Sequence, residues 1–110
     1  LKVEDLYQMS EFCSITKKMK KDQEITGGYC GDLLSWVMAH AKKGNIWITV
    51  QTHINIIAIA TLLELTCIII PENISVEKET IQKAEQEQIP ILGSNLTSFE
   101  IANLLGKRGL

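Results

Sequence analysis

Apolar positions along the chain fall into short runs separated by polar, lysine-rich or glycine-containing breaks. Val3, Leu6 and Tyr7 lie at helical spacing within Lys2–Ser10, which predicts a short opening helix. Phe12–Thr16 reads as a strand, Lys17, Lys18, Lys20 and Lys21 as a basic, solvated turn, and Glu24–Thr26 as a second strand. Gly27-Gly28-Tyr29-Cys30-Gly31 reads as a flexible loop, with Asp32 as N-cap of a helix over Leu33–Ala41. Leu33, Leu34, Val37, Met38 and Ala41 then line the buried face of that helix. Ile46–Val50 is rich in β-branched and aromatic residues and predicts a strand. A second helix is expected over Asn55–Leu65. Cys67–Ile70 is an unbroken apolar strand of the kind covered on both faces. Ser75 is the expected cap of a charged outer helix, Val76–Gln88, and Pro90–Leu92 is a final short strand. Thr97-Ser98-Phe99-Glu100 is a capping box opening a last helix through Leu105.

Strands alternating with helices imply right-handed crossovers. The fold class expected is α/β: one small domain over residues 1–110, with a mostly parallel sheet and helices on both faces. The segment Asn55–Leu65 stands apart because it is apolar all round. At 100° per residue Ile56, Ala60 and Leu63 share one face, while Ala58, Leu62 and Leu65 share the opposite one. Two apolar faces imply burial on both sides. The expectation is an isologous homodimer contact through Ala58, Leu62 and Leu65, unless the N-terminal helix folds over them.

Composition narrows the function classes. Eleven basic residues against thirteen acidic ones give a net charge of −2, so no basic field argues for nucleic acid or an anionic membrane. The longest apolar stretch, Ile54–Ile70, is broken by Asn55, Thr61, Glu64 and Thr66 and is too short to span a bilayer. Cys13, Cys30 and Cys67 are an odd, widely spaced set without C-x-x-C, which points to reduced thiols, no metal site and a cytoplasmic setting. No residue pattern implies a cofactor.

In a parallel α/β sheet, ligands sit beyond the carboxyl ends of the strands. Four segments are expected there: Thr26-Gly27-Gly28 through Asp32, Gln51 to Asn55, Pro71-Glu72-Asn73, and Gly93-Ser94-Asn95. Their amides and hydroxyls suit a small polar ligand better than covalent chemistry. Gly27, Gly28, Asp32, Gln51, Thr52, His53 and Asn55 are the candidate ligand-binding residues. His53 with Asp32 nearby is a possible acid–base pair, but no nucleophile stands at a recognisable spacing, and His40 reads as a surface or interface residue. No G-x-x-x-x-G-K-[ST] occurs, and Gly27-Gly28 with Gly31 does not match G-x-G-x-x-G.

Thr26-Gly27-Gly28-Tyr29, Asp32-Leu33-Leu34-Ser35, Val37-Met38-Ala39 and Ile46-Trp47-Ile48-Thr49 with Gln51-Thr52-His53 resemble the DRTGG domain family. Glu79-Thr80-Ile81, Lys83-Ala84-Glu85, Ile89-Pro90 and Ser98-Phe99-Glu100 resemble its later parts. The sequence departs from the motif at its acidic–basic pair, since Glu24-Ile25 precedes Thr26-Gly27-Gly28. The resemblance implies a small parallel-sheet domain similar to the N-terminal domain of HPr kinase/phosphorylase. It also implies a regulatory or dimerisation role, because such domains occur alone or fused to CBS domains, phosphotransacetylases and pyrophosphatases. Kinase activity is not expected, since the kinase's P-loop belongs to a different domain. The functional expectation is therefore a non-catalytic regulatory homodimer that binds a nucleotide or metabolite and acts on a partner enzyme. The alternative is a pure docking module using helix 55–65, and a remote third reading is a small enzyme using His53.

Overall fold

A computed structural model describes all residues from Leu1 to Leu110. There are five helices and five strands, alternating from the second strand onward: α1 (Val3–Tyr7), β1 (Cys13–Ser14), β2 (Gly27–Cys30), α2 (Leu34–His40), β3 (Asn45–Ile48), α3 (Asn55–Leu62), β4 (Cys67–Ile70), α4 (Lys78–Glu87), β5 (Ile91–Gly93) and α5 (Ser98–Lys107). The sheet order is β1-β5-β4-β3-β2. β2 to β5 run parallel, and β1 closes the far edge antiparallel to β5.

The apolar runs sort the two faces. Along β3, Trp47 points to one face and Ile46 and Ile48 to the other; along β4, Ile68 and Ile70 oppose Cys67 and Ile69. Trp47, Ile68, Ile70 and Ile91 pack under α2, α3 and α4. Ile46, Ile48, Cys67, Ile69 and Leu92 pack under α1 and α5. Both faces of the central strands are therefore dry, as their unbroken apolar sequence required.

That layering explains the apolar helix. α3 lies between α2 and α4 on one face, so Ile56, Ile57, Ile59 and Ala60 are buried against the sheet and its flanks. Beyond Asn55 in its first turn, Ala58, Thr61 and Leu62 face outward, with Leu62 68% exposed. The N-terminal helix does not cover α3, because α1 packs on the opposite face. Leu65 lies past the end of α3 and is buried in the core, so it is not available to an interface in this fold.

Four local expectations are corrected. The second strand is Gly27–Cys30 rather than Glu24–Thr26, because Gly27 to Cys30 pair in register with Asn45 to Ile48. Tertiary pairing here overrides the low strand preference of glycine. Asp32 does not cap α2; Leu33 occupies that position and offers no side-chain bond. Leu33 and Met38 are exposed, so only Val37, Ala41 and part of Leu34 anchor α2. Ser75 does not cap α4, which begins after Glu77. The capping box at α5 forms as read, with Thr97 Oγ1 accepting from Glu100 N (3.2 Å) and Glu100 Oε1 from Thr97 N (3.0 Å).

The lysine-rich segment is tied down at both ends on α4. Lys17 N donates to Glu85 Oε2 at 2.9 Å and Lys21 Nζ to the Gln88 carbonyl at 2.8 Å. Gly44 makes the turn into β3 with φ +83°, and a Cβ there would stand 2.7 Å from the Thr26 side chain. Thr26, Gly44 and Thr66 are thereby locked together, the buried Thr66 hydroxyl donating to the Gly44 carbonyl at 2.6 Å.

Candidate functional site

The carboxyl ends of the parallel strands form one edge of the sheet, and its two halves differ in what their polar groups do. At the β2–β3 end, Asp32 Oδ1 accepts from Thr49 Oγ1 (2.8 Å) and from Val50 N (2.9 Å). Gln51 Nε2 donates to the Asp32 carbonyl (2.9 Å), and Gln51 N to Thr49 Oγ1 (3.2 Å). The Trp47 indole N–H donates to the Gly31 carbonyl at 2.8 Å. Thr80 Oγ1, from α4, donates to the Thr52 carbonyl at 2.7 Å. These bonds staple the loop after β2 to the loop after β3, and the latter to α4. The Asp32 carboxylate thus serves Thr49 and Val50, the Gln51 amide serves the Asp32 main chain, and Thr52 is held through its backbone.

His53 and Asn55 are exposed at the start of α3, and His53 Nδ1 accepts from Asn55 N at 3.2 Å. That bond requires the proton on Nε2. Asp32 does not bond to His53, its carboxylate being committed to Thr49 and Val50. The acid–base pair considered from sequence is therefore not assembled. Gly27 and Gly28 lie at the opposite end of the sheet, beside Asn45 and Ile46 at the start of β3. Of the seven candidate residues, the fold gathers Asp32, Gln51, Thr52, His53 and Asn55 on the carboxyl edge and separates the two glycines from them. His40 is exposed at the end of α2, stacked on Trp36 at 4.3 Å between ring centroids.

The β4–β5 end is open. Two hollows, of about 300 and 330 Å³, adjoin there and share Cys13, Asn73, Gly93 and Ser94. The first has apolar walls from Ile15, Ile70, Ile74 and Val76; the second is bordered by Ser10, Glu11 and Asn95. Glu72 and Asn73 are consecutive left-handed residues, with φ of +58° and +55°. Glu72 N bonds to the Leu96 carbonyl and Asn73 N to the Ser94 carbonyl, both at 2.9 Å, so the strained turn is clamped onto the segment after β5. The Asn73 amide and Ser75 hydroxyl are exposed beside these walls and bond to no other residue. Gly93 lets β1 approach closely: a Cβ there would meet Ile15 at 3.0 Å and Cys13 Sγ at 3.3 Å.

Sequence reasoning placed residues 71–73 and 93–95 on this edge but put the candidate residues at its other end. Cys13 and Ile15 were missed altogether, because they reach the crevice only through the antiparallel pairing of β1 with β5. Neither Cys30 nor Cys67 is an activated nucleophile: burial, and secondarily the Asp32 charge, pushes the Cys30 thiol up, while burial pushes Cys67 up to about 12. No group of three or more His, Cys, Asp or Glu side chains is placed to hold a metal ion. No helix is long and apolar enough to cross a membrane.

What these features define is a five-stranded, mostly parallel α/β domain with a polar-and-apolar crevice at its strand ends. No family model matches the chain, and no curated protein matches it significantly. Among solved structures its fold is similar to the CBS and DRTGG domains of the regulatory region of Clostridium perfringens pyrophosphatase, complexed with the activator diadenosine tetraphosphate. The TM-score is 0.67 at 15% sequence identity, over 94% of this chain and 45% of that one. The chain thus spans less than half the length of that regulatory region, and its fold is DRTGG-like.

Proposed function

We propose that the chain is a non-catalytic regulatory module that binds a small polar ligand, a nucleotide or metabolite, in the β4–β5 crevice and transmits occupancy to a partner enzyme. The observation that carries this reading is the contrast along the carboxyl edge. Near β2 and β3 the Asp32, Thr49 and Gln51 side chains are engaged in holding the two loops together, whereas the Asn73 amide and Ser75 hydroxyl stand free beside the apolar walls of a hollow. A base or ring suits the walls formed by Ile15, Ile70 and Ile74, and phosphate or hydroxyl groups suit the polar rim. The fold shared with a regulatory region that binds a nucleotide activator supports the same class of ligand. Asp32, Gln51 and Thr52 then act as scaffold, with His53 and Asn55 outside the main contact.

A thermal-shift screen with adenine mononucleotides, diadenosine polyphosphates and sugar phosphates tests this. Ligand at about a hundred times its dissociation constant adds roughly 2.7 kcal/mol, a shift of several degrees in a domain of this size. Asn73→Asp keeps a residue type tolerant of the left-handed backbone and places a negative charge on the rim. The expected result is a nucleotide-dependent shift that disappears in Asn73→Asp and persists in His53→Ala. A shift lost in His53→Ala and kept in Asn73→Asp moves the site to the β3–α3 loop and overturns the placement. No shift with any of these compounds overturns the ligand class.

A further inference from the structure

The sheet has two edges, and they are built differently. β1 is two residues long and is followed by Lys17, Lys18 and Lys20, all exposed, the short charged edge by which proteins discourage strand pairing. β2, at the other edge, is four residues long and contains neither proline nor a charged side chain. Nothing in the chain pairs with its outer side.

Apolar surface borders this bare edge on both faces of the sheet. Above it, α2 connects β2 to β3 and packs against α3 with one flank, which leaves its other flank on the side of β2. Leu33, Trp36 and His40, three and four residues apart, form that flank, with Leu33 66% and Trp36 58% exposed. Below it, Gly28 and Cys30 border a groove of about 210 Å³ whose other walls include Ile48, Ala102 and Leu105.

The charges at the two ends of β2 are opposite. Its amino end lies beside the turn that carries Lys42 and Lys43, because Thr26 Oγ1 donates to the Lys43 main-chain carbonyl at 2.8 Å. Both lysines are exposed, and only Lys43 has a carboxylate partner, Glu64 at 3.3 Å. Asp32 follows the carboxyl end, exposed, with Oδ1 bonded to Thr49 and Val50 and Oδ2 without a hydrogen-bond partner. A parallel copy laid alongside would set like charge against like. An antiparallel copy brings the lysine-bearing end of each strand beside the Asp32-bearing end of the other.

We infer that β2 is a homodimerisation edge, pairing antiparallel with β2 of a second copy about a two-fold axis near Tyr29, to give one continuous ten-stranded sheet. The contact is self-complementary in backbone hydrogen bonding, in charge and in its flanking apolar surface. This deepens the homodimer expectation but moves the contact away from Ala58 and Leu62 on α3, and it does not depend on the ligand proposed above.

Sedimentation velocity on the full chain at about 100 μM tests it, since any tighter association is populated there. Three variants separate the possibilities. Gly28→Lys adds a charged side chain where a Cβ meets only ordinary contact, 3.7 Å from the Ile46 carbonyl, so the monomer should fold. Trp36→Glu, at an exposed position, reports on the same edge should Gly28→Lys fold poorly. Leu62→Glu reports on α3. The expected result is a wild-type dimer weakened at least about tenfold by Gly28→Lys and by Trp36→Glu, and unchanged in Leu62→Glu. Lys42→Glu should weaken it less, and added salt should erase that difference. A dimer lost in Leu62→Glu but intact in Gly28→Lys and Trp36→Glu overturns the β2 contact and restores the α3 one. A wild-type monomer overturns both, while the nucleotide thermal shift remains a separate reading.

Discussion

The two halves of the carboxyl edge carry similar residues and use them in opposite ways. After β2 and β3, the Asp32 carboxylate and the Thr49 and Gln51 side chains bond one another and the intervening backbone. After β4 and β5, the turn is clamped through main-chain bonds from Glu72 and Asn73, and the Asn73 and Ser75 side chains remain outside the network. A loop rich in amides and hydroxyls can therefore be a staple or a binding surface. What decides is whether the backbone of that loop already holds itself. Where main-chain bonds fix the turn, side chains are left free; where they do not, side chains are drafted to close it.

Substitutions should separate the two halves by what they damage. The largest loss belongs to Trp47→Ala, which empties a fully buried site and removes the bond to Gly31; roughly 3–5 kcal/mol is expected in denaturant unfolding. Asp32→Ala removes an exposed carboxylate that accepts from Thr49 and Val50, and should cost about 1–2 kcal/mol without touching the β4–β5 crevice. If Asp32→Ala leaves stability unchanged but abolishes a ligand-induced shift, the roles of the two halves are exchanged. Asn73→Asp and Ser75→Ala should fall within about 0.5 kcal/mol of wild type while suppressing that shift, as expected of surface groups outside any network.

Two thiol measurements extend the contrast. Cys67 is buried in the sheet centre and its pKa is raised to about 12 from 9.0, so the folded state holds the proton more tightly than the unfolded state. The unfolded chain ionises first, and this contribution to stability, intact below about 9, is lost as pH rises towards 12. The melting temperature of wild type should thus fall more between these limits than that of Cys67→Val. The smallest effect is kinetic: Cys13 and Cys30 are both exposed, but Cys30, whose thiol is held up first by partial burial and then by Asp32, should react with a disulfide reagent more slowly. Asp32→Ala should speed Cys30 only modestly, because burial remains.

Much of the architecture was legible where a single local cause suffices. Cys67–Ile70 appears as a strand with the bounds its apolar run implied, α3 begins at Asn55, and Thr97 with Glu100 closes the capping box at α5. β2 was not legible, because Gly27 and Gly28 have little intrinsic strand preference and become a strand only when β3 is beside them. The apolar helix was read as buried on both faces; the sheet, α2 and α4 cover one of them, α1 does not reach the other, and Ala58 and Leu62 there are exposed in the single chain. For the site, position at the strand ends was legible and the division of labour was not. Cys13, Asn73 and Ser94 converge only after the sheet is built, and no spacing among them announces it. One usable signal existed: Glu72-Asn73 directly after Pro71 offers a residue type tolerant of left-handed backbone.

The crevice also has an uneven history of assembly. β2 to β5 join neighbours in sequence order, each through one helical crossover, whereas the Cys13 thiol reaches the Gly93 carbonyl across 80 positions of chain. Closing that long loop yields a strand only two residues long. The wall formed by Cys13 and Ile15 should therefore be the last to dock and the first to lift, exchanging its amide hydrogens well before Ile68 to Ile70 do. A bound molecule touching that wall would slow this exchange, making the N-terminal segment the part of the protein whose breathing reports occupancy.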